Sequence, residues 1–377
     1  MLPFFPWLRI RPEMSPLSVG RYKLLRFVRG REPGAPDQIA VDAVLEPYVA
    51  DARDQPVEQA TLLQLNGHPL TADLTDAEVS DCFEFAELVA LAGLSARRFF
   101  QPLGYTNRDV FTFVVQAFTE PGAGIGLHAR RRDGGTGIYA APGVYRVRQP
   151  YHIPTFEPAG LGVPLLEALL RARESKDWEP IGDALTFFNR ANTDGEFVPE
   201  QWEIVATVGA FERLLESDHK EDNLVREFLK VWPAGADQPP CDRVPPERRG
   251  GRSILSVWLR DLFQQRSASA HGKLAAGGSP LWQIREHLLL GAFAFPLLVK
   301  VRLARAGHYA LNDRDRTDIE VFELLICADH FQPREDGEVP QYPWNEIREG
   351  TYSRRMLRAA LEHALEEQGR DPGRESG

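Results

Sequence analysis

Arg266 and His271 lie five residues apart in LFQQRSASAHGK, and Gly272 follows the histidine directly. A planar guanidinium matches phosphate oxygens, and an imidazole titrates near neutrality and can move a proton. Together they suit a phosphodiester. RNA carries its own nucleophile in the 2′-hydroxyl, so cleavage needs only proton transfer and stabilisation of charge on the phosphorane. In that chemistry His271 is the acid or base, Arg266 clamps the non-bridging oxygens, and the products carry a 2′,3′-cyclic phosphate and a 5′-hydroxyl. Spacing alone does not select this pair, because His152, His219, His308 and His363 also follow an arginine closely, namely Arg146, Arg213, Arg302 and Arg358.

The element that must position the pair is a helix over 253–271. Leu255, Leu259 and Leu262 recur at helical spacing, and Arg266 takes the next place on that stripe. Gly272 is the residue type that closes a helix in the left-handed conformation. If the helix stays regular, His271 is turned about 140° from Arg266 around its axis. Either the last turn unwinds before Gly272, or a second copy of the chain completes the site. A purely structural reading stands beside these: the arginine pairs with a carboxylate or with terminal carbonyls, and the histidine caps its own helix.

The chain has a net charge of −10, which argues against a general nucleic-acid-coating protein. The stretch 243–273 departs from that balance, with Arg243, Arg248, Arg249, Arg252, Arg260, Arg266 and Lys273 against only Glu247 and Asp261. Arg248, Arg249, Arg252, Arg260 and Lys273 are therefore candidate RNA contacts.

Around this segment the pattern divides the chain into 1–155, 156–310 and 311–377. In the first part YKLLRFV, IAVDAVL, ATLLQL, VFTFVVQAF and GVYRVR read as strands, and Thr75 and Glu78 make a capping box before a helix whose expected end lies near Gly93. The basic run Arg130–Arg131–Arg132 before Asp133–Gly134–Gly135 predicts a hairpin turn. The first part is thus an α+β domain with an antiparallel sheet. HIPTFEPAGLGVP reads as a linker. Helices are predicted at about 163–174, 180–191, 200–217, 221–232, 253–271 and 280–306, the last opened by Ser279–Pro280 and closed by Gly307. They form an all-α bundle. The proline-rich stretch 232–251 reads as an exposed, mobile loop. DIEVFELLICADHF is open between strand and helix, and TYSRRMLRAALEHALEEQ is a final amphipathic helix.

Three motifs occur in order along the bundle: FFNRAN (187–192), VGAFERLLE (208–216) and LFQQRSASAHGK (262–273). In this combination residues 163–306 resemble a HEPN domain, in particular the ApeA-like branch of bacterial defence proteins. The resemblance implies a helical bundle that dimerises, with Arg266 and His271 of two copies in one cleft, and metal-independent endoribonuclease activity in antiphage defence or growth arrest. It implies no cofactor, RNA as substrate, and a trigger or inhibitor protein as a further partner. Ser267, after the arginine, stands where the strongest nuclease members carry a polar Asn, Asp or His. Glu212, on the second motif, is a candidate to orient Arg266 or His271, or else a solvated or structurally paired glutamate. The other function reading is an inactive HEPN module that dimerises and binds nucleotide, RNA or protein.

Cys82, Cys241 and Cys327 are odd in number and far apart, which argues against a disulfide framework or a structural zinc site and fits a reducing cytoplasm. No HExxH, phosphate-binding GxxxxGK[ST] or dinucleotide GxGxxG motif is present. The run Leu288–Val299, broken by Pro296, reads as a buried helix and not as a membrane span.

Overall fold

The computed structural model describes residues 1–30, 38–50, 55–101, 104–118, 124–130, 136–141, 143, 145–153, 158–233, 241–272, 279–332 and 341–369. It divides into two compact units, Met1–Leu214 and Leu215–Gly377.

In the first unit the elements are β1 (Leu2–Phe5), β2 (Leu17–Val19), β3 (Tyr22–Val28), α1 (Gln38–Leu45), β4 (Tyr48–Val49), β5 (Gln59–Leu65), α2 (Asp76–Leu94), β6 (Val114–Gln116), β7 (Ile125–Arg130), β8 (Thr136–Ala141), β9 (Val147–Arg148), α3 (Val163–Arg173), α4 (Trp178–Arg190) and α5 (Glu200–Leu214). Seven strands form an antiparallel sheet in the order β2-β3-β5-β1-β6-β7-β8, and β4 pairs with β9 in parallel. The N-terminal LPFF becomes an interior strand because all four residues are apolar and buried; Phe4 lies opposite both Leu62 and Val114. The arginine run falls where β7 leads into β8, and 131–135 lie outside the described residues. IAVDAVL, expected as a strand, is α1 instead. Its buried positions are Val41, Val44 and Leu45, a three- and four-residue spacing, while Ile39 is 86% exposed. The β-branched composition pointed one way and the burial period the other.

The capping box at Thr75 and Glu78 opens α2 as predicted. Gly93 lies one residue before the end of the helix, near where that end is expected, and a Cβ there would run into the Phe111 ring, which occupies the space glycine leaves. Helix α2 buries Val79, Cys82, Phe85, Leu88, Val89 and Leu91, more than one face, and one layer of sheet cannot cover it. Helices α3 and α4 supply the rest. Gly162 N–H donates to Ala92 O at 3.0 Å, and Asn189 Nδ2 donates to Glu87 Oε2 at 2.7 Å. Arg173 joins α3 to α2 and β3 by donating to Asp81 at 2.7 Å and to the Tyr22 hydroxyl at 3.0 Å. The compact boundary therefore falls after α5, inside the stretch 156–310, whereas the sequence pattern changes near 155.

Near the end of this unit, Asp109 bonds His152 at 2.8 Å and Asp194 accepts from Tyr105 at 2.6 Å and Asn107 at 2.9 Å. Glu203 is buried beside them, and burial followed by the charges of Asp194, Glu200 and Asp109 raises its carboxyl to about 7. The folded state thus holds this proton more tightly than the unfolded chain does. The stabilisation is full below the ordinary glutamate range and is lost as pH rises toward 7. The thermal stability of this unit is expected to fall between about pH 5 and about pH 8, and Glu203→Gln to flatten that trend. Identical pH profiles for the two proteins would refute this assignment.

The second unit contains α6 (Glu221–Val231), α7 (Pro246–Arg249), α8 (Ile254–His271), α9 (Ile284–Arg305), α10 (Asp313–Ile326) and α11 (Pro343–Gly369). Its core is aromatic. Trp258 of α8 packs edge-on to Phe322 of α10 at 5.3 Å, and Phe228 stacks on Trp232 at 5.2 Å. Helix α9 is long and apolar enough to cross a membrane by length, yet Leu290, Phe295, Leu298 and Val299 are fully buried in this core. It begins at Gln283, whose side chain and Glu286 cap each other, not at Ser279–Pro280. The reason is Asp261, whose carboxylate takes the Leu281 and Trp282 N–H groups and holds them outside the helix. DIEVFELLICADHF resolves to helix α10, opened by Asn312 and Asp315.

Cys241 and Cys327, 86 positions apart in the sequence, form a disulfide with Cα atoms 6.0 Å apart. This corrects the expectation of unpaired cysteines: distance along the chain carries no information about distance in space. The predicted mobile loop needs a similar correction. Residues 234–240 lie outside the described residues, but 241–252 is fastened by that disulfide and by Arg243, which binds Glu286 at 2.6 Å and Leu281 O at 3.2 Å.

Candidate functional site

Helix α8 starts where Ser253 Oγ accepts the Ser256 N–H at 3.3 Å, and it stays helical through His271. Gly272 ends it at φ 63°, ψ 18°, the left-handed conformation that a residue without Cβ adopts freely. The last turn does not unwind. Arg266 and His271 therefore leave the helix about 140° apart around its axis and do not share one face within a chain.

The two residues continue different stripes of the helix. Leu255, Leu259 and Leu262 are fully buried, and Arg266 extends their line to a half-buried position with its guanidinium 5.4 Å from the centre of the Phe263 ring. His271 is exposed and lies seven residues after Gln264, on the line of Val257, Arg260, Asp261 and Gln264. Those four residues form one wall of a cleft of about 280 Å³, completed by Glu221 of α6, Arg248 of α7, Arg252 and Leu281. The sequence paired the histidine with Arg266; the helix sets it on the face of Arg260.

Within the cleft the charges are unequally engaged. Arg260 bonds Glu221 and donates to Asp222 at 2.6 Å, and Gln264 donates to Glu221 at 3.4 Å. Asp261, 5% exposed, accepts the two N–H groups at the start of α9 and faces His287 Nε2 at 3.0 Å. His287 is fully buried, and burial holds its pKa below the ordinary histidine range, so the ring is a neutral support behind the cleft. Arg248 stands 3.8 Å from Asp261, an ion pair longer than a hydrogen bond. Arg252 is exposed and makes no side-chain bond among the described residues. Arg249 is turned into its own loop, donating to Val244 O at 2.7 Å. Lys273 lies outside the described residues.

Glu212 is 2% exposed on α5, in the first unit, which removes the reading of a solvated glutamate. Sequence reasoning missed Asp261, His287 and Glu221 as parts of this region. The only linear signal was a pair of acids, Glu221–Asp222, opening a helix, and that signal names no partner. Among the described residues no group of three His, Cys, Asp or Glu side chains is placed to hold a metal ion.

Comparison with known proteins adds no relative: no family model matches the chain, and no curated protein or solved structure matches it. The likeness to HEPN proteins rests on the three motifs and their order.

Proposed function

We propose that the protein is a metal-independent endoribonuclease of HEPN type, acting as a pair of identical chains in antiphage defence or growth arrest. The observation that carries this reading is an exposed His271 at the end of a regular helix, on the same face as an arginine-lined cleft. His271 takes the proton of the 2′-hydroxyl, O2′ attacks phosphorus, the P–O5′ bond breaks, and the same proton returns to O5′. Arg266 of the partner subunit holds the non-bridging oxygens, since the helix sends this chain's own Arg266 the other way. Residues 1–155 then select RNA or sense a trigger, or an inhibitor protein governs the pair. The second reading, a non-catalytic HEPN module, is favoured by the position of Arg266 in line with three buried leucines, where a guanidinium can serve packing alone.

The test is incubation of the purified full chain with end-labelled single-stranded RNA in the presence of a chelator, beside Arg266→Ala and His271→Ala. Wild type yields fragments ending in a 2′,3′-cyclic phosphate and both variants do not. Equal cleavage by all three proteins, or none by any, rejects the enzyme reading.

A further inference from the structure

Of the four described arginines read as RNA contacts, Arg248 and Arg252 are placed to meet a new anion. Arg260 is neutralised by Glu221 and Asp222, Arg249 is spent on backbone carbonyls, and Lys273 is outside the described residues. Arg252 is exposed at the cleft rim, and Arg248 stands 3.8 Å from Asp261, a buried carboxylate that three other groups already engage: Leu281 N–H, Trp282 N–H and His287. An incoming phosphate can therefore approach Arg248 without leaving Asp261 unsatisfied.

We propose that this cleft is a subsite for the sugar-phosphate of a nucleotide flanking the scissile bond, with Arg252 and Arg248 as its phosphate ligands. This rests on the RNA reading of α8. Gln264, at the cleft wall, and His271 share one face of α8 and are separated by about 10 Å along the axis. A single strand laid along that face reaches both, so the cleft fixes which phosphate stands at the histidine. At about 280 Å³ the cleft is smaller than pockets that enclose a whole drug-sized ligand. It holds a sugar and its phosphate and leaves the base outside, so binding is independent of sequence. Gln264 and the Glu221 carboxylate face the sugar edge, where a 2′-hydroxyl can donate to the carboxylate; a deoxyribose strand lacks that bond.

The experiment measures binding of labelled oligouridylate to the full chain carrying His271→Ala, which prevents cleavage, with and without Arg252→Glu, over a salt series. Arg252→Glu is expected to weaken binding at least about tenfold and to reduce the slope of log K against log salt by about 0.7, the value of one phosphate contact on a single strand. The oligodeoxyribonucleotide binds more weakly than RNA to the parent and shows the same Arg252 dependence. Inorganic phosphate at matched ionic strength does not displace RNA. Unchanged affinity and slope in Arg252→Glu, with unfolding temperature also unchanged, overturns the subsite, as does displacement by free phosphate alone. Failure of the catalytic reading looks different: wild type then cleaves nothing while Arg252 still governs binding. Cleavage that depends on His271 but not on Arg252 leaves the enzyme and removes the subsite.

Discussion

His271→Ala lowers the rate of RNA cleavage by about 10² to 10⁴-fold, the span that a positioned acid or base contributes. Folding is expected to survive the change. His271 is exposed, and the left-handed closure of α8 belongs to Gly272, so the variant loses at most a favourable cation at a helix carboxyl end, about 0.3–1 kcal/mol. Arg266→Ala is a less clean experiment. It removes the clamp, and with it the contact over Phe263, worth roughly 0.5–1 kcal/mol at such a site. Arg266→Lys separates the two effects, because it keeps the charge and loses the planar fork. Single-turnover rates beside thermal melts check the set. A His271→Ala protein that cleaves at the wild-type rate ends the proton-transfer role.

Breaking the disulfide produces the largest expected change in stability. Cys241→Ser with Cys327→Ser opens a loop of 86 residues, for which the chain-entropy account gives about 4.6 kcal/mol. The effect is concentrated in the second unit, whose segment 241–252 carries Arg243, Arg248 and Arg252 and is held at one end by that bond. Arg243 still binds Glu286, so the segment remains attached at a second point and the unit folds at reduced stability. Urea unfolding checks this: the wild-type midpoint falls on addition of a reductant, and the double variant starts at the lower midpoint and ignores the reductant. Coincident midpoints for both proteins under both conditions contradict it.

What was legible in the chain followed periodicity. Helix α8 runs over the expected stretch and ends at Gly272, because a helical stripe and a left-handed glycine are local signals that need no tertiary information. The antiparallel sheet and the Thr75 capping box were legible for the same reason. Errors arose where distant contacts decide. IAVDAVL has the composition of a strand, but packing chooses its three- and four-residue face. Ser279–Pro280 is a sound helix start that Asp261, twenty residues earlier, overrules by taking the Leu281 N–H. The site was half legible. The helical repeat already stated that Arg266 and His271 diverge, yet only the fold could show that His271 shares its face with Arg260 and that Arg260 is committed to two acids on α6. Cys241 and Cys327 gave no linear sign of their pairing.

The most direct measurement is complementation between the two inactive proteins. Arg266→Ala and His271→Ala chains are purified separately, then mixed in equal amounts under conditions that allow exchange, and cleavage is measured in the mixture. If the arginine of one copy serves the histidine of the other, each mixed pair holds one intact site, and the mixture recovers roughly a quarter of wild-type activity, since mixed pairs are half of a freely exchanged population with two-fold symmetry. No recovery above the two separate proteins, in a mixture shown to have exchanged, contradicts a site shared between copies.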